Sequence, residues 1–138
     1  MLSRHKELRF IATAVAYRQD PEVEAEYLVV AEDAGGRGRT VEVQRSLSGD
    51  TDDDRSLGLD GHCVVIDCGP TSYRCVARWA VAQSTVVIRL TNAGRDELGV
   101  TTIRIEVPEE SAAATASALQ RLVDDGPEVE EFTMVRKA

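Results

Sequence analysis

The chain has 138 residues, the length of one ordinary domain, with 43% apolar and only 4% aromatic residues and a formal net charge of −8. So few rings exclude a stacking platform for single-stranded nucleic acid, and so much acid opposes phosphate backbones and anionic lipid. With no N-terminal apolar run and no stretch near about 18 apolar residues, neither a signal peptide nor a membrane span is expected, and the three cysteines read as reduced thiols in a cytoplasmic protein.

Residues 8–17, LRFIATAVAY, alternate as a strand. One face would hold Leu8, Phe10, Ala12, Ala14 and Ala16, the other Ile11, Val15 and Tyr17. Asp20-Pro21 makes a turn, 25–32 a second strand, and GGRGR, 35–39, a flexible hairpin connection into 40–46. In that third strand Val41 and Val43 point one way, Glu42 and Gln44 the other. Residues 47–60 form a long irregular stretch. The apolar run in 62–68 predicts a strand buried on both faces or central in its sheet. Residues 73–81 and 84–91 pair next, with Val86 and Ile88 opposite Val87, Arg89 and Thr91.

Residues 92–99 predict one or two helical turns, and 100–107 a further strand. Pro108, Glu109 and Glu110 then open a helix. Its apolar stripe would be Ala112, Ala116, Leu119 and Val123, and Gly126-Pro127 stops it. Residues 128–138 read as a frayed tail or a short final strand, and residues 1–7 and 128–138 as loose termini. About seven strands, mostly hairpin-linked, followed by one helix define an α+β class. The expectation is one domain over 1–138: a mostly antiparallel curved β-sheet or partial barrel with one C-terminal helix packed on it.

Charge is segregated along the chain. Residues 19–60 hold twelve carboxylates against four bases, and residues 106–131 hold eight against one. Residues 1–18, 61–105 and 132–138 are each net positive. Such acidity serves solubility or attracts a basic partner.

The segment DDDRSLGLDGHC, 52–63, concentrates the candidate residues. Asp50, Asp52 and Asp54 have the spacing that opens a calcium loop. Arg55 and Gly61, however, stand where that loop needs glycine and a bidentate glutamate. Cys63, Cys68, Cys75 and His62 lack the tight C-x2-4-C knuckle of structural zinc, and Cys63 and Cys68 have opposite strand parity. They read as small buried hydrophobes. His62 and Cys63 are adjacent on opposite faces, a poor nucleophile–base pair, and no nucleophile elbow or phosphate loop occurs. No enzyme, cofactor or metal is expected. What remains is an acidic rim of Asp50, Asp52, Asp53 and Asp54, held by a turn in which Leu57 and Leu59 tuck down and Asp60 caps.

These residues resemble a family. RFIATAV, the acidic DPEVEAEYLVVAED, VQRS, DDRSLGLDGHCVV and YRCVARW are similar to the pattern of the immunity protein 10 family of bacterial polymorphic toxin systems, over roughly residues 9–124. The chain departs from it at His62, where an aromatic is expected, and at Tyr73-Arg74-Cys75, where Y-G-G is expected. The resemblance implies a non-catalytic cytoplasmic antitoxin that neutralises a cognate toxin domain. An acidic surface would attract a basic toxin, such as a nuclease, without contacting nucleic acid or membrane itself. Candidate partner-binding residues are Asp50, Asp52, Asp53, Asp54, Asp60, Glu22 and Glu24, with Tyr27, Leu57 and Leu59 as anchors. Self-association into a homo-oligomer stays open. The competing reading is a small enzyme or ligand-binding domain that uses a pocket in the curved sheet.

Overall fold

The computed structural model describes residues 6–47, 52 and 61–136. Its strands are β1 (Glu7–Ile11), β2 (Ala14–Asp20), β3 (Ala25–Ala31), β4 (Thr40–Ser46), β5 (Cys63–Ile66), β6 (Thr71–Tyr73), β7 (Val76–Ala82), β8 (Thr85–Leu90), β9 (Thr102–Glu106) and β10 (Phe132–Val135). The helices are α1 (Asn92–Leu98) and α2 (Ala112–Asp124), the latter preceded by a 3-10 turn at Glu109–Ser111. The strands form two open sheets, β1-β9-β8-β7 and β10-β2-β3-β4-β5-β6. All pairings are antiparallel except β1 with β9. The class is therefore α+β as expected, with more strands than the sequence indicates.

The extra strands have identifiable causes. LRFIATAVAY is not one strand but two, in different sheets. Leu8, Phe10 and Ala12 are buried at even positions, and Val15 and Tyr17 at odd ones. The parity switches at Thr13, where Ala12 N–H donates to Glu106 of one sheet (2.7 Å) and Thr13 N–H to Ala31 of the other (3.0 Å). A one-residue slip moves every side chain to the other face, and here it carries the chain from sheet to sheet. Residues 71–73 add a short strand, and 132–135 pair with β2.

Alternation inside the six-stranded sheet follows the sequence. Val15, Leu28, Val30, Val41, Val43 and Val64 face inward beside Leu8, Phe10, Ile88, Ile103 and Ile105 of the four-stranded sheet, in one hydrophobic cluster. Helix α2 packs on β2, β3 and β4 and reaches β7. Its buried stripe is Ala112, Thr115, Ala118, Leu119 and Leu122. The expected Ala116 and Val123 are only half-buried, because the helix is rotated toward its threonine. The Thr115 hydroxyl is buried with no hydrogen-bond partner. Asp125, rather than the expected glycine, ends the helix in the left-handed conformation at φ 55°.

One polar network crosses this core. Glu26 occupies an inward position of β3, level with Leu28 and Val30, and is fully buried. Its carboxylate accepts two hydrogen bonds from the Arg121 guanidinium, Nε to Oε1 at 3.1 Å and Nη2 to Oε2 at 3.2 Å. The Tyr17 hydroxyl donates a third to Oε1 at 2.7 Å. Burial pushes the Tyr17 phenol above its ordinary value, and the Glu26 charge pushes it further. Arg121 also donates to the Gly126 carbonyl (3.1 Å). Arg45 donates to the Arg121 carbonyl (3.2 Å) and pairs with Asp125 at 2.9 Å. Sheet, helix and helix exit are thereby tied at one point.

Removing one partner of a buried pair leaves an uncompensated charge. Glu26→Ala should cost about 3–5 kcal/mol in urea denaturation, whereas Tyr17→Phe should cost about 1 kcal/mol. Thr115→Val keeps the shape and deletes the unpaired hydroxyl, so its thermal midpoint should rise above that of the parent.

Candidate functional site

The β2–β3 turn is built by Asp20, whose Oδ1 accepts the Glu22 N–H at 3.0 Å, the Asx geometry that Asp-Pro favours. Glu24 follows at φ 52°, and its carbonyl accepts the Leu47 N–H at 2.8 Å. The chain leaving β4 toward position 52 thus departs beside this turn. On the other flank, Glu131 Oε2 accepts the Gln19 N–H at 3.0 Å and fixes the entry to β10. Asp125 is held at the same end through Arg45. The two acidic segments therefore converge at one end of the six-stranded sheet.

Of the candidate residues, Glu22 and Glu24 are exposed at the tip of this turn, and Asp52 is exposed. Tyr27 is half-buried on the outer face of β3, between Arg18 and Gln44. Asp50, Asp53, Asp54, Leu57, Leu59 and Asp60 lie outside the described residues. Asp20 and Glu131 join the site although the sequence singled out neither; the signal was Glu131's place just ahead of a strand that pairs with β2. The gathering is partial. Glu32, Asp33 and Asp67 lie at the opposite end of the sheet, where Arg39 pairs with Asp67 at 2.9 Å. Glu97 on α1 accepts from Ser72 at 2.6 Å.

The groups weighed for catalysis or metal have other work. His62 is buried just before β5, and its Nε2 accepts the Val76 N–H at 3.2 Å. Burial lowers its pKa, against the pull of Asp124. Burial pushes the Cys63 thiol up to about 11 and raises Cys75 too; a thiol so protonated is a poor nucleophile. Cys68 is exposed in the turn after β5. Among the described residues no three His, Cys, Asp or Glu side chains are grouped to hold a metal ion. Nor is any described helix long and apolar enough to cross a membrane.

A cleft of about 600 Å³ lies between the end of the six-stranded sheet and the outer side of the four-stranded one. Phe10 and Ile11 line it with Arg9, Arg39 and Arg104, and Glu32 and Glu106 stand among them. The inside of the sheets is filled by the hydrophobic cluster instead.

The molecule is thus an acidic α+β protein of two open sheets and a covering helix, with carboxylates gathered at one end of the larger sheet. The family model of immunity protein 10, Imm10, matches residues 11–114, which run from the end of β1 into α2. The chain belongs to the immunity protein 10 family, and that membership implies an immunity protein that neutralises a cognate toxin. No curated protein and no solved structure matches it.

His62 makes stability depend on pH with a definite sign. Its folded pKa lies below the ordinary 6.5, so the stability it contributes is complete above that value and is lost as pH falls toward the folded one. Thermal midpoints measured between neutral and mildly acid pH should fall more steeply for the parent than for His62→Phe.

Proposed function

We propose that this protein neutralises its toxin by binding it, without catalysis, through the acidic end of the six-stranded sheet. The toxin surface it meets would be basic, as a nuclease's substrate-binding face is, and the encounter would take place in the cytoplasm. Supporting this reading is the convergence of two sequence-distant acidic segments at the β2–β3 turn, joined by the Gln19–Glu131 hydrogen bond, while the Glu24–Leu47 bond brings the end of β4 to the same turn. Concentrated charge accelerates encounter with an oppositely charged protein and sets orientation. Glu22, Glu24 and Asp52 would steer, together with Asp50, Asp53, Asp54 and Asp60 of the connection that leaves beside them. Tyr27, Leu57 and Leu59 would supply the anchors that rim charges do not.

Glu22→Gln combined with Glu24→Gln should slow association with the toxin domain about tenfold at low ionic strength and little at high salt. Stopped-flow association against salt concentration reads this directly. Equal rates for parent and variant at low salt would remove the turn from the interface.

A further inference from the structure

The acidic excess leaves one face of the molecule cationic. On the outer side of the four-stranded sheet, strand register places Arg9 beside Arg104, and Arg78 beside Arg89. Glu7 and Glu106 are the acids of that face. The two arginine pairs are treated differently. Arg9 and Arg104 share the Glu7 carboxylate, at 2.9 Å from each. Arg78 and Arg89 are both exposed, and neither has a carboxylate within ion-pair distance among the described residues.

Directly opposed side chains on antiparallel strands have Cβ atoms about 4.5–5.5 Å apart, and like charges there are destabilising. A bulge at Val76–Arg78 sets Arg78 into that register, and bulges re-aim side chains. Two neighbouring guanidiniums without counter-charge form a pair of forks that match carboxylates in bidentate geometry. The cleft beside them, lined by the ion-paired Arg9, Arg39 and Arg104 together with Glu32 and Glu106, opens on the same face, with Ile11 standing 58% exposed at its wall.

We propose that this outer face is a second docking surface, which grips carboxylates of a partner protein through Arg78 and Arg89 and seats an apolar side chain against Ile11. The chemistry favours a protein over nucleic acid. A duplex needs a track of phosphate contacts, and among the described residues of this face two arginines, Arg78 and Arg89, lack a carboxylate partner, while the whole chain carries −8. A folded partner brings a few carboxylates locally and leaves the rest of the acidic surface untouched. The surface is distinct from the acidic end and does not depend on it.

The test is a titration of isotope-labelled full chain, followed by NMR, with a hexaglutamate peptide and separately with a short DNA duplex. The peptide should shift the resonances of Arg78, Arg89 and their strand neighbours. Arg78→Gln with Arg89→Gln should weaken peptide binding about tenfold, while its thermal midpoint stays equal or rises. Arg78→Lys with Arg89→Lys, which keeps charge and fold but loses the forks, should also bind more weakly. Tighter binding of the duplex at the same residues would overturn the assignment to a protein partner. Absence of localised shifts with both probes, or a lowered midpoint in the glutamine variant, would overturn the docking surface itself.

Discussion

The structure hangs on a carboxylate that has no water to dissolve in. Glu26 is sealed inside the core, where its carboxylate takes its hydrogen bonds from Arg121 and Tyr17. Arg121 comes from α2, so the helix cannot be docked in another rotation without stranding a buried charge. The apolar contacts of α2 are mostly alanine and leucine, which tolerate sliding; the guanidinium fork does not. Satisfied buried ion pairs contribute less to stability than to choosing one arrangement. Here the arrangement chosen brings the helix exit, the β2–β3 turn and the end of β4 together, which is where the acidic segments meet.

Charge segregation follows from the topology. The net positive stretches of the sequence supply the strands of the smaller sheet apart from Glu106, and the acidic stretches supply the β2–β3 turn and the chain ahead of β10 at one end of the larger one. An acidic chain thus carries a cationic face. A partner with a basic groove flanked by carboxylates would find both complements on it, whereas a uniform polyanion would find only the arginine face.

Period-two burial, the turn at Asp20-Pro21, the hairpin at Gly35–Arg39 and the C-terminal helix were legible in the sequence, because each rests on local steric or capping rules. The crossing at Thr13 was not, because LRFIATAVAY alternates plausibly in either parity. Alanines at 12, 14 and 16 carry too little hydrophobicity to show which face is inward, so tertiary pairing decided it. Glu26 escaped for a related reason: its inward parity with Leu28 was visible, but its partner stands 95 residues away. Glu22, Glu24 and Tyr27 are candidates that charge and ring chemistry single out without the fold. The cross-strand arginines were not, since opposition depends on register and on the bulge at Val76–Arg78.

The parallel pairing of β1 with β9 has a consequence for how the molecule comes into being. Among the described residues, 7–11 pair with the strand at 102–106 alone, so β1 must wait for β9 before it can be zipped. The hairpins of β2, β3 and β4 close short loops and can assemble early, carrying the turn of Glu22 and Glu24 with them. Long loops are slow to close, and domains of high contact order expose unpaired strands while they wait. The β2–β3 turn is therefore shaped from local chain, while Asp125, Glu131 and the arginine-bearing sheet join it only after the chain through β9 and α2 has been made.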